Sequence, residues 1–154
     1  MSRQPPRTRP QRIRDTLARL ERDVDAWVAT ADPEGGTPYL VPLSFMWDGV
    51  AVLVATRQSN PTGRNLRATG QVHLGIGHTR DVVVIQGTVR ELPADQVPQQ
   101  VGDAFAARTG FEPRSLGGGY SYFQIVPRRI QAWREANELE GRDLMLDGRW
   151  LEAD

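Results

Sequence analysis

Two spacings of apolar residues divide this chain. Ile13, Leu17, Leu20 and Val24 recur at helical intervals, which predicts a short amphipathic helix laid against one edge of a core. From Asp25 the pattern changes to strand-like runs separated by turn residues. "DAWVATAD" stops at "PEGG", where adjacent glycines permit positive φ. "TPYLVPLSFMWDG" then runs to an Asp-Gly turn, and "VAVLVAT" completes an antiparallel meander. Pro38 and Pro42 cannot donate to a sheet ladder, so the second strand reads as an edge, a bulge, or a place where backbone faces a ligand.

The stretch "ATRQSNPTGRNLRATGQ" interrupts the strands. Asn60 suits an N-cap, Pro61 the first helical turn and Gly70 a left-handed C-cap, so Pro61 to Thr69 is expected to be one compact helix. "QVHLGIGH" and "DVVVIQGTVREL" resume the sheet across "HTRD". "ADQVPQQVGDAFAARTG" reads as a second helix ending at Gly110, with Pro98 near its start. "FEPRSLGGGY" reads as loop, "SYFQIVPRRIQAWRE" as one or two strands, and "LMLDGRWLE" as a closing Asp-Gly hairpin. Six or seven antiparallel strands with few helices indicate a mainly β (α+β) fold built as a small barrel.

Length and composition narrow what such a barrel can do. At 154 residues the chain fits one domain, expected over residues 13–154, after an Arg/Pro-rich disordered tail over residues 1–12. No cysteine is present, which excludes disulfides, thiolate chemistry and cysteine-based metal sites. No apolar run approaches the ~20 residues that cross a bilayer, and the start lacks the apolar region of a signal peptide, so a cytoplasmic protein is expected. The formal net charge is zero, which argues against a nucleic-acid footprint over the whole surface. Arg3, Arg7, Arg9, Arg12, Arg14, Arg19 and Arg22 crowd the beginning, as a solvated tail or as an arm for nucleic acid or an acidic partner. Every basic side chain besides the two histidines is arginine, so no mechanism can use lysine.

Candidate chemistry is sparse. His73 lies in an alternating strand opposite Val72, Leu74 and Ile76, and His78 lies at a turn; neither adjoins a serine nucleophile or an acidic partner at metal-ligand spacing. The carboxylate pairs Asp23/Asp25 and Glu135/Glu138 fall in stretches that read as solvent-facing, and Gly117 to Gly119 have no strand–helix context for a phosphate loop. An organic cofactor is then the simplest route to chemistry, because the protein would supply binding, orientation and electrostatics only. The bend before the first compact helix suits that role. Its N–H groups, with Arg57, Arg64 and the Thr62 hydroxyl, could hold a phosphate; the alternative is a capped connection with two solvated arginines.

The succession "WVATADPEGGTPYLVPLSFMWDG", "VAVLVAT", "TGRNLRATGQVHLGIG", "RDVVVIQGTVREL" and "IVPRRIQAWRE" resembles the pyridoxamine 5'-phosphate oxidase-like family of FMN-binding split β-barrels. It is most similar to the small actinobacterial flavin and deazaflavin oxidoreductases. The resemblance implies a split-barrel homodimer with cofactor sites in the clefts between subunits. It places the ring against the backbone of Val41, Pro42, Leu43 and Ser44, and the phosphate end among Thr56, Arg57, Ser59, Thr62, Arg64 and Asn65. Trp133 is implied near the interface or cofactor. Asn65 and Leu66 match the family's "NL"; the Ser-x-Lys often found before it is replaced here by Asn60 and Thr62, with Arg57 or Arg64 as substitutes.

An oxidoreductase using FMN, or the deazaflavin coenzyme F-420, on a small conjugated substrate follows from that resemblance. Ser44, Tyr120 and Tyr122 are candidate proton donors. The alternative is a non-catalytic flavin, deazaflavin or haem carrier. The chain ends without the arginine-rich C-terminal segment of the enzymes that oxidise vitamin B6, which argues against that substrate.

Overall fold

The computed structural model describes residues 4–152. Helix α1 (Arg9–Arg22) is opened by the Thr8 hydroxyl, which accepts from the Gln11 amide at 3.3 Å, and it ends with Arg19 and Arg22 against the negative end of its dipole. It therefore starts at Arg9, inside the segment expected to be a tail. The reason is the arginines themselves. Arg7 donates to the Glu138 carboxylate, and Arg12, 3% exposed, donates to the Ala132 and Glu138 carbonyls at 3.2 and 2.8 Å. Met1 to Arg3, also assigned to the tail, lie outside the described residues.

Eight strands follow: β1 (Asp25–Ala31), β2 (Pro38–Trp47), β3 (Val52–Arg57), β4 (Gln71–His78), β5 (Asp81–Pro93), β6 (Tyr120–Trp133), β7 (Asp143–Leu146) and β8 (Arg149–Trp150). They are interrupted by α2 (Pro61–Thr69) between β3 and β4, and by α3 (Gln99–Thr109) between β5 and β6. All pairings are antiparallel in the order β3-β2-β1-β4-β5-β6-β7-β8, and a further β3–β6 pairing closes the first six strands into a barrel. The barrel itself has six strands, within the expected six or seven, and the closing hairpin adds two short strands outside it. Pro98 is the residue before α3 rather than part of it, as its missing N–H favours.

The barrel is filled by alternate residues. Val28, Phe45, Val54, Leu74, Ile85, Ile125 and Ile130 point inward and are buried, and Leu20 of α1 and Leu66 of α2 complete the cluster. A second cluster lies outside the barrel, where α3 covers Leu53, Ala55 and Tyr122 with Phe105, whose ring meets Tyr122 edge-on at 5.3 Å. The Tyr122 hydroxyl is buried there with no hydrogen-bond partner among the described residues, and burial holds its pKa above the ordinary tyrosine value. An orphan hydroxyl costs about 1–3 kcal/mol, so Tyr122→Phe is expected to leave stability unchanged or raise it by about 1 kcal/mol in urea melts. A loss above about 1 kcal/mol would show that the hydroxyl has a partner.

Pairing between β2 and β3 is confined to Phe45–Trp47, whereas β1 follows β2 from Pro38 to Ser44. The Phe45 amide donates to the Val24 carbonyl at 2.8 Å, and backbone groups alternate sides along an antiparallel strand, so those of Pro38, Leu40 and Pro42 point away from β1. Both prolines therefore sit where no ladder hydrogen bond is lost. The strand is an edge over this stretch, one of the alternatives its prolines suggested. Beyond Val54, β3 diverges from β2 and continues against β6 alone, opening a wedge in which α2 begins.

Candidate functional site

The wedge has β2 on one side and the β3–α2 bend on the other. Asn60 occupies the N-cap position of α2, yet its side chain makes no capping bond; its amide donates instead to the Thr56 hydroxyl at 3.2 Å. The Arg64 amide bonds back to the Asn60 carbonyl, while the N–H groups of Thr62 and Gly63 find no acceptor among the described residues. A helix start with free N–H groups attracts anions. By contrast, Thr8 caps α1 with its hydroxyl.

Gly63 brings this start hard against β3. A Cβ added there would lie 2.4 Å from the Arg57 carbonyl oxygen and 3.2 Å from that of Gln58, so no larger residue fits without moving backbone. A glycine in a helix's first turn is a weak helix former, and that mismatch is the trace the close approach leaves in the sequence.

The two cations flank the bend without a carboxylate partner among the described residues. Arg57 lies over the Tyr120 ring, its guanidinium carbon 4.9 Å from the centroid, and Tyr120 is braced edge-on by Phe111 at 5.7 Å. Arg64 donates to the Ser59 carbonyl at 3.1 Å and lines a cavity of ≈ 520 Å³ between α2 and the β1–β2 turn, together with Pro38, Tyr39, Pro61 and Asn65. Asp32 and Glu34 edge the same cavity. Arg64 at this cavity, the two free N–H groups of the helix start, and Arg57 and the Thr62 hydroxyl along the same bend are donors of the kind that bind a phosphate. The chemistry of the residues present therefore matches the tail of a flavin mononucleotide or a deazaflavin.

The residues singled out from the sequence divide by what they touch. Arg57, Ser59, Thr62 and Arg64 lie along the bend; of β2, Pro38 and Tyr39 line the cavity beside α2, whereas Pro42, Leu43 and Ser44 line a separate hollow with Trp27 and Gly75, and Val41 lines neither. Thr56, Thr62 and Asn65 at the bend are all buried; Thr56 accepts from Asn60, and Asn65 donates to the Thr30 hydroxyl at 3.1 Å, tying α2 to β1. Trp133 is at the far end of the 14-residue β6 from Tyr120, roughly 40 Å of strand away. Its ring is covered by Arg142 at 5.8 Å, and within one chain it does not meet the bend.

A supporting network was not visible in the sequence. Gln58 Nε2 donates to Ser121 Oγ at 2.8 Å, and Ser121 donates to Glu91 Oε1 at 2.7 Å. Glu91 also takes both Arg67 donors, at 2.7 and 2.8 Å, and these hold its pKa below the usual carboxylate value. The bend, α2, β5 and β6 are thereby fastened together. Only long-range pairing brings these residues near one another. Glu138 corrects another expectation: read as solvent-facing, it is 2% exposed and belongs to the N-terminal ion-pair network.

The family model described as pyridoxamine 5'-phosphate oxidase matches residues 14–134. No curated protein matches the chain. Among solved structures, a protein titled F-420 reductase superposes with a TM-score of 0.60 at 20% identity, covering 73% of this chain and 93% of its own. A FAD-binding protein from Mesorhizobium loti gives 0.57 at 20% identity, covering 77% and 91%. A Clostridium acetobutylicum protein related to general stress protein 26, of the pyridoxinephosphate oxidase family, gives 0.63 at 14% identity, covering 82% and 90%. At these identities the likeness is one of fold.

Proposed function

The chain belongs to the pyridoxamine 5'-phosphate oxidase family, and on that premise we propose that it is an oxidoreductase binding FMN, or alternatively the deazaflavin F-420, in the wedge between β2 and α2. The observation that carries this reading is the uncapped start of α2, with its free N–H groups between two arginines that lack carboxylate partners among the described residues. The Mesorhizobium FAD-binding protein and the F-420 reductase, similar in fold, support a cofactor of this class.

When bound, a flavin or deazaflavin supplies the hydride acceptor or donor. The chain's own residues do the rest. Arg57, Arg64, Thr62 and the Thr62 and Gly63 amides hold the phosphate. Pro42 presents no N–H to the open edge, so the backbone there can lie against a ring while Leu40 offers an N–H and a carbonyl. A second copy of the chain, in a homodimer, would cover the wedge and exclude water.

Titrating the protein separately with FMN and with F-420, and following fluorescence, tests this. One cofactor is expected to bind at micromolar or lower Kd, and its reduced form to be reoxidised by a conjugated acceptor faster than in free solution. Equal reoxidation rates would favour a carrier, and absence of binding by both would overturn the reading.

A further inference from the structure

One glycine on the barrel's outer face is not explained by packing. Gly75 stands in mid-β4 beside Trp27 of β1, in register with it, and Trp27 is in turn in register with Pro42 of β2. Glycine weakens a strand interior and often marks a place something must approach closely. A Cβ at Gly75 would meet only the Trp27 Cβ, at 3.8 Å, an ordinary contact. Neither clash nor backbone conformation demands glycine here. What its missing side chain does is keep a hollow open.

That hollow has a volume of ≈ 570 Å³, within the range of small-molecule sites. Trp27, 53% exposed, and Pro42 give it apolar walls, and Gly75 and Gly77 leave room beside them. Its polar end is a pair: Ser44 Oγ donates to Asp25 Oδ1 at 3.0 Å. With its proton committed to Asp25, the serine oxygen can only accept, and Asp25 Oδ2 is a second acceptor. The charge and polarity at that end therefore suit a ligand that donates. Pro42, Leu43 and Ser44, which carry the open edge of β2, also line the hollow.

We propose that this hollow is a ligand subsite for a planar conjugated ring bearing an O–H or N–H donor, the ring beside Trp27 and the donor directed at the Asp25–Ser44 pair. Calling that ligand the substrate rests on the oxidoreductase reading; the site itself does not. The donor requirement selects phenolic, hydroquinone-like or amino-substituted rings over ethers and carboxylates.

The test uses two matched probes, 2-naphthol and 2-methoxynaphthalene, titrated against the full-length protein by tryptophan fluorescence, with cofactor titrations run in parallel. The native protein should bind 2-naphthol about tenfold more tightly, the worth of one charge-assisted hydrogen bond. Asp25→Ala should erase that preference. Gly75→Leu, which the strand backbone accommodates, should weaken both probes at least tenfold while leaving cofactor affinity within about twofold. Equal binding of the two probes to the native protein would overturn the proposal, as would probe binding that survives Gly75→Leu. If Gly75→Leu weakens the cofactor equally, the hollow is part of the cofactor site and the subsite is refuted while the oxidoreductase reading stands. If it instead dissociates a dimer in sedimentation with neither probe bound, the hollow is a subunit interface, which also overturns it.

Discussion

Glu138→Gln is expected to lower unfolding stability by about 3–5 kcal/mol, the cost of breaking a buried ion pair from one side. The carboxylate is saturated with donors. Oε2 accepts from the Arg7 amide at 2.8 Å and Arg7 Nε at 3.0 Å, and Oε1 accepts from Arg7 Nη2 and the Arg134 amide, both at 2.8 Å. Arg12 Nε stands 3.9 Å away. A glutamine of the same shape would turn an amide NH₂ toward one of these donor pairs and take from the buried Arg7 its most buried counterion, leaving only the more exposed Asp15 at 3.0 Å and Asp81 at 3.8 Å.

The same carboxyl sets an acid limit. Burial opposes its ionisation, but the bonds from the Arg7 side chain and from the Arg7 and Arg134 amides outweigh burial and bring its pKa from 4.5 to about 2. Because the folded value is the lower one, the contribution is fully present above about pH 4.5 and is lost as pH falls toward 2. Urea melts across that window should show the native protein losing stability more steeply than Glu138→Gln. Parallel slopes would mean that Glu138 is not the group responsible.

Gly63→Ala is expected to cost about 3 kcal/mol, at the upper end of overpacking, because the obstructing atom is the Arg57 carbonyl at 2.4 Å and backbone cannot rotate away as a side chain can. Relief requires α2 to move off β3, which would displace the free amides and Arg64 together. The variant should therefore lose cofactor affinity at least tenfold even where thermal melts show it folded. A folded variant with native affinity would place the cofactor away from the start of α2.

The barrel was largely legible because its local signals agree. Turn glycines, strand runs and the Pro61 and Gly70 boundaries all point to the same elements, and Gly70 takes the left-handed conformation expected of it, with φ 65°. The bend's residues were legible for the same reason, being close in sequence. The misreadings arise from tertiary partners. Arg7 and Arg12 looked like a solvated tail because Glu138 lies more than a hundred residues away, and Glu138 looked solvent-facing because nothing near it in sequence reveals Arg7. Asn60 was a plausible cap until Thr56 offered its side chain another acceptor. The Gln58–Ser121–Glu91 chain runs from the β3–α2 bend to β6 and β5 and could not be seen without the strand pairing.

The central claim is that the start of α2 anchors a cofactor phosphate. It is tested most directly by the Kd of the tighter-binding cofactor, FMN or F-420, for the native protein and for Arg57→Ala combined with Arg64→Ala. Each charge-assisted hydrogen bond lost at this partly exposed site is worth about tenfold in Kd, so the double variant should bind roughly a hundredfold more weakly, with a smaller dependence on salt. An unchanged Kd with native salt dependence would contradict the account.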